Sequence, residues 1–155
     1  KVVYVACSPG SASDANPLFQ NPKMIEQTWQ NDFYKPLIAK VEETLLDKRQ
    51  PSSPLSEAIY SIADRADFQQ GEGHRRVVLV SDLMQHSDGF SFYKTGADYD
   101  AYLNSKLADT KPHMEGVEVV ARVVPRQIYD LPISDVKSFW RAYFTEAGAE
   151  YGSVN

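Results

Sequence analysis

Residues 75–90 read RRVVLVSDLMQHSDGF, and no other stretch constrains the fold as tightly. A short apolar run follows two arginines and stops abruptly at Ser81-Asp82, and a polar loop carrying His86, Ser87 and Asp88 comes next. A run this short, rich in β-branched residues and apolar on both faces, is the pattern of a strand buried in a sheet. Nearly continuous valines recur over residues 117–124, interrupted by Glu118 and Arg122, and Val2-Val3-Tyr4-Val5-Ala6 opens the chain in the same manner. Strands are therefore expected at about 2–7, 76–81 and 117–124.

Helical periods fill the spaces between them. Asn21 and Pro22 supply a cap and a first-turn proline. Behind them Ile25, Trp29, Phe33, Leu37, Val41 and Leu45 recur every fourth residue, with Met24 and Ile38 alongside. That spacing marks one face of a long amphipathic helix. Pro36 lacks a backbone donor and crowds the preceding turn, so the helix should kink or divide near Tyr34-Lys35. Ser53-Pro54 signals a second start, with a stripe of Leu55, Ala58, Ile59, Ile62, Ala63 and Ala66. Asp98 should cap a short helix bearing Tyr99, Tyr102, Leu103 and Leu107. Ser134 should cap a final one bearing Val136, Phe139, Trp140, Tyr143 and Phe144, which Gly148 ends.

Alternating short apolar strands and helices predict an α/β fold, a doubly wound, mainly parallel sheet of Rossmann-like type with helices on both faces. At 155 residues, a single domain spanning 1–155 is the expectation. The chain begins without a methionine and almost inside a strand, which points to a trimmed or excised domain. Ligands of such folds collect outside the carboxyl ends of the strands, so the loops at 7–14 and 81–88 are the places to look.

Composition narrows the function classes. A formal net charge of −5 disfavours nucleic acid as a partner, because phosphate contacts need a basic field. His74-Arg75-Arg76 reads as a solvated strand entrance. No apolar run approaches the roughly 18 to 20 residues of a membrane span. Cys7 is the single cysteine, which rules out an internal disulfide or a cysteine zinc cluster and fits a reducing, cytoplasmic setting. A secreted chain whose signal had been removed would look the same.

Asp82, just past a buried strand, could bind Mg²⁺, since hard divalent cations take carboxylate and hydroxyl oxygens. Ser53 and either Ser8 or Ser11 could supply hydroxyls. The competing reading has Asp82 accepting loop N–H bonds and Ser53 acting only as a helix cap. Other motifs fare worse. A thiolate phosphatase loop would need arginine where Ser13 stands, so Cys7 reads as a buried structural residue. No G-x-x-x-x-G-K-[ST], H-E-x-x-H or G-x-S-x-G occurs. The aromatics Phe90, Phe92, Tyr93, Tyr99 and Tyr102, and the apolar segment 16–22, either dock a partner or cover the sheet.

VVLVSDLMQHS resembles the fourth-strand signature of von Willebrand factor A-type domains, an apolar strand followed by Ser/Thr-Asp and a polar loop. SSPLSEAI sits where that family places a second hydroxyl, just upstream of the helix leading to the aspartate strand. The resemblance covers roughly residues 50–148 in the order and kind of elements. It implies a metal-ion-dependent adhesion site with Asp82 as main ligand, Ser53 as second and Ser11 as the surviving serine of the first motif. Ser87, Asp88 and His86 would shape the partner-contacting loop. The family's first motif, D-x-S-x-S, is degenerate here, with Cys7 at the aspartate and Pro9 at the first serine. Either the site has decayed, or the strand at 2–7 is the family's second and the first lies upstream. The latter is favoured.

The leading expectation is thus a protein-interaction module of von Willebrand A type, aided by Mg²⁺, rather than an enzyme. Two rivals stay open. One is a metal-dependent hydrolase on a Rossmann-like fold, with Asp82 holding metal and His86 as acid or base. The other is a structural domain whose metal site has decayed.

Overall fold

The computed structural model describes residues 4–16, 19–45, 51–70, 73–124 and 131–154. They fall into two compact units, Lys1–Gln50 and Pro51–Asn155.

In the first unit, Asn21 caps helix α1 (Pro22–Thr28), its side chain accepting the Lys23 N–H at 3.0 Å. A π-helical segment, Trp29–Tyr34, continues directly into α2 (Lys35–Leu45). The break expected at Pro36 is therefore a widened stretch within a continuous helical rod. Proline cannot donate to the residue four before it and its ring crowds that carbonyl, and a π segment just upstream absorbs the misfit. The strand expected at about 2–7 is not formed over residues 4–7, while residues 2 and 3 lie outside the described residues. Val5 and Cys7 are exposed, so the buried structural role expected of Cys7 does not hold.

The second unit is α/β. Its sheet has three strands, β1 (Arg75–Ser81), β2 (Val117–Val123) and β3 (Glu150–Val154), all parallel and in that order. Helices α3 (Leu55–Ala63) and α4 (Ala66–Gln69) precede β1. The short α5 (Phe92–Thr95) and α6 (Tyr99–Leu103) lie between β1 and β2, and α7 (Ile133–Glu146) lies between β2 and β3. Asp98 caps α6 as expected, accepting the Ala101 N–H at 3.0 Å. Gly148 ends α7 with φ +82, a backbone conformation that glycine adopts without strain.

The core lies against one face of the sheet. Val77 of β1 and Val117, Val119, Ala121 and Val123 of β2 are buried together with Val136, Phe139, Trp140, Tyr143 and Phe144 of α7. Phe90, Phe92 and Tyr102 join them, with Phe92 edge-on to Phe139 at 4.7 Å. Aromatic residues that could have docked a partner are therefore mostly core. Tyr93 remains exposed, as does Phe19 in the first unit. On the opposite face Val78 and Val80 are 55% and 67% exposed. Arg76 there bonds Glu118 directly across the register at 2.7 Å. Arg75 reaches the Glu115 carbonyl at 2.6 Å, so the basic run at the strand entrance is engaged locally.

Candidate functional site

Two loops meet at the carboxyl end of β1. The first is the turn at Ser81-Asp82 and the polar loop after it. The second is the segment at Ser53 that leads into α3. Ser53 and His86 form an antiparallel bridge: the Ser53 N–H donates to the His86 carbonyl at 2.7 Å, and the His86 N–H donates back at 2.9 Å. Ser53 is thereby fixed to the loop that carries Asp82. Its expected role as side-chain cap of α3 is not what the structure shows, since the residue before that helix is Pro54 and makes no capping bond.

Gln85 does the capping instead. It is fully buried, and its Oε1 accepts the Ser56 N–H at 3.0 Å. Its Nε2 donates to Glu57 Oε2 at 3.0 Å and to Ser87 Oγ at 3.2 Å. Ser56 Oγ donates to the same Glu57 oxygen at 3.0 Å. A buried amide with every group paired rigidifies its surroundings, because leaving any of those groups unpaired would be costly. The sequence gives one faint signal for this residue: a neutral polar side chain set between Met84 and His86.

Asp82 itself sits in a tight turn. Its Oδ1 accepts the Met84 N–H at 3.1 Å and the Ser81 hydroxyl at 3.4 Å, and Ser81 Oγ also accepts the Leu83 N–H at 3.0 Å. Leu83, completely buried, adopts φ +60 and is the one non-glycine residue with positive φ among the described residues. Its carbonyl accepts the indole N–H of Trp140 at 2.8 Å. His86 Nδ1 lies 2.8 Å from Ser91 Oγ, and its ring stands edge-on to Tyr93 at 5.0 Å. Ser87 closes the next turn with Phe90, and Asp88 is exposed at its tip.

Of the expected site residues, then, Asp82, Ser53, His86, Ser87 and Asp88 belong to this pair of loops. Ser11 belongs to the first unit, where its hydroxyl donates to Asp14 Oδ2 at 2.9 Å and lies 2.6 Å from Ser13 Oγ. Among the described residues, no group of three or more His, Cys, Asp or Glu side chains could hold a metal ion. No family model, curated protein or solved structure matches the chain. No helix among the described residues is long and apolar enough to cross a membrane.

Proposed function

We propose that Pro51–Asn155 is a protein-interaction module of von Willebrand A type, with the Ser53 and Asp82 loops as its partner-binding edge. The fold we propose for it is that family's doubly wound one. The observation that carries the reading is the Ser53–His86 bridge, which fixes a hydroxyl-bearing loop to the aspartate-bearing loop at the carboxyl end of a parallel strand. That is where α/β sheets present ligand-binding groups. The hydrolase alternative needs a second carboxylate beside Asp82, and Glu57, the acid in the adjacent network, is committed to Gln85 and Ser56.

Magnesium fits this edge in kind and falls short in number. Asp82 and Ser53 offer hard oxygens, but Mg²⁺ demands about six in octahedral array. Water and an acidic side chain of the partner would have to complete the shell, so the chain alone is expected to bind the ion weakly. When bound, the ion would supply a positive charge that attracts that acidic group. Asp82 and Ser53 would hold it, and Ser87 and Asp88 would frame the approach.

Thermal unfolding tests this. The chain and Asp82→Ala are melted in EDTA, then in millimolar Mg²⁺ or Mn²⁺. A ligand that binds only the folded state must raise the midpoint. A rise in the parent that the variant lacks is the expected result. Midpoints that ignore the ion in both proteins would remove the metal from the reading, and a uniformly lower midpoint in Asp82→Ala would leave Asp82 the structural role of its turn bonds.

A further inference from the structure

We infer that Trp140 is a positioning residue for Asp82: its indole N–H holds the left-handed Leu83 turn that sets where the carboxylate points. The inference rests on the reading of Asp82 as the recognition group. Leu83 is bulky, and a side chain of that kind pays a steric cost at positive φ unless the surroundings enforce the conformation. Here three bonds enforce it. Ser81 Oγ takes the Leu83 N–H, Asp82 Oδ1 takes the Met84 N–H, and Trp140 Nε1 donates to the Leu83 carbonyl.

The first two bonds are made by neighbours in the turn and move with it. The third comes from 57 residues away, from a side chain that is fully buried on α7. That bond ties the Leu83 carbonyl to α7, beside the buried Leu83 and Met84 side chains that pack in the same core. One helical turn along α7, the Tyr143 hydroxyl donates to the Ser56 carbonyl at 3.4 Å. The same helix therefore grips the Leu83 turn through an indole and the first turn of α3, next to the Ser53 loop, through a phenol. The strained backbone and the distant donor act together: without the donor, Leu83 relaxes toward negative φ and the Met84 N–H leaves the Asp82 carboxylate.

Trp140→Phe tests this, beside a chain carrying the isosteric benzothienyl analogue at position 140, which keeps the ring shape and lacks only the N–H. Two signals are read by NMR: hydrogen exchange at the Met84 amide, and the ¹³Cγ resonance of Asp82. Both variants should speed Met84 exchange by roughly five- to tenfold, the loss of one hydrogen bond. The Asp82 resonance should shift, while exchange at Val119 and Ala121 in β2 stays as in the parent. Acceleration at Met84 only in step with Val119 and Ala121 would mean general loosening and would overturn the inference, as would an unchanged Asp82 resonance in both variants. A Trp140-dependent Asp82 in a chain whose midpoint ignores Mg²⁺ supports the positioning role and removes only the metal. A midpoint that responds to Mg²⁺ through Asp82, with Asp82 indifferent to Trp140, overturns the positioning role alone.

Discussion

Gln85 has no titrating group, yet its carboxamide joins the two loops of the site by bonds to Ser56, Glu57 and Ser87. Replacing it by leucine keeps much of the volume and removes every polar partner. The buried Ser56 N–H would then lose its acceptor, and the half-buried Glu57 carboxylate would lose the amide while keeping the Ser56 hydroxyl. Gln85→Leu is expected to lower stability by about 2 kcal/mol, read from urea unfolding. A loss of a few tenths would mean that water replaces the amide. The place of Asp82 just past β1 was legible from the sequence because an aspartate after an apolar run is a local pattern. Gln85, Ser91 and Trp140 were not, since their contribution consists of partners 29, 5 and 57 residues away.

Among the elements, those with strong local signals formed close to where the spacing placed them. β1 and β2 differ from expectation by one residue at one end. α6 carries its Asp98 cap, and α7 begins at Ile133, one residue before the expected Ser134 cap. The α3 stripe is displaced: Ser56, Ile59 and Ala63 are buried while Ala58 and Ile62 are exposed. Gln85 and the Ser53 bridge anchor the start of that helix and so set its rotation, which apolar spacing alone leaves open. β3 went unread because EYGSV is short, contains glycine and has little apolar content; pairing with β2 makes it a strand. In the first unit, Pro36→Ala restores a backbone donor to the helix and should remove the need for the π segment. That change is expected to raise helical circular dichroism and to stabilise the helix by about 1 kcal/mol or more. Unchanged ellipticity and midpoint would place the cause of the segment elsewhere, with Trp29 stacked on Tyr34 as the next candidate.

At the scale of the whole molecule, the aromatic core makes stability depend on alkaline pH. Burial pushes the Tyr102 phenol up to about 12 from an ordinary 10.0. Burial raises Tyr143 as well, with the Tyr102 phenol beside it adding to the shift. A group whose pKa is higher folded than unfolded contributes stability that is complete below its unfolded pKa and is lost as pH rises through the folded one. Stability should therefore hold up to about pH 10 and fall steadily toward pH 12, with the share of the tyrosinate absorbance that Tyr102→Phe and Tyr143→Phe remove appearing together with unfolding. That share formed well below the unfolding transition would show these two phenols to be open to water.

The sequence by itself determined that this chain has an α/β part with parallel strands, and it marked the turn after β1 as the place where polar groups collect. Hydrophobic period and turn chemistry are local, so they survive reading along one dimension. Tertiary structure decided which segment supplied the third strand, which face of α3 turned inward, and that Gln85 and Trp140 hold the loops around Asp82. Each of those outcomes depends on groups distant in the chain satisfying one another's hydrogen bonds in a space without water, and that condition exists only once the core has closed.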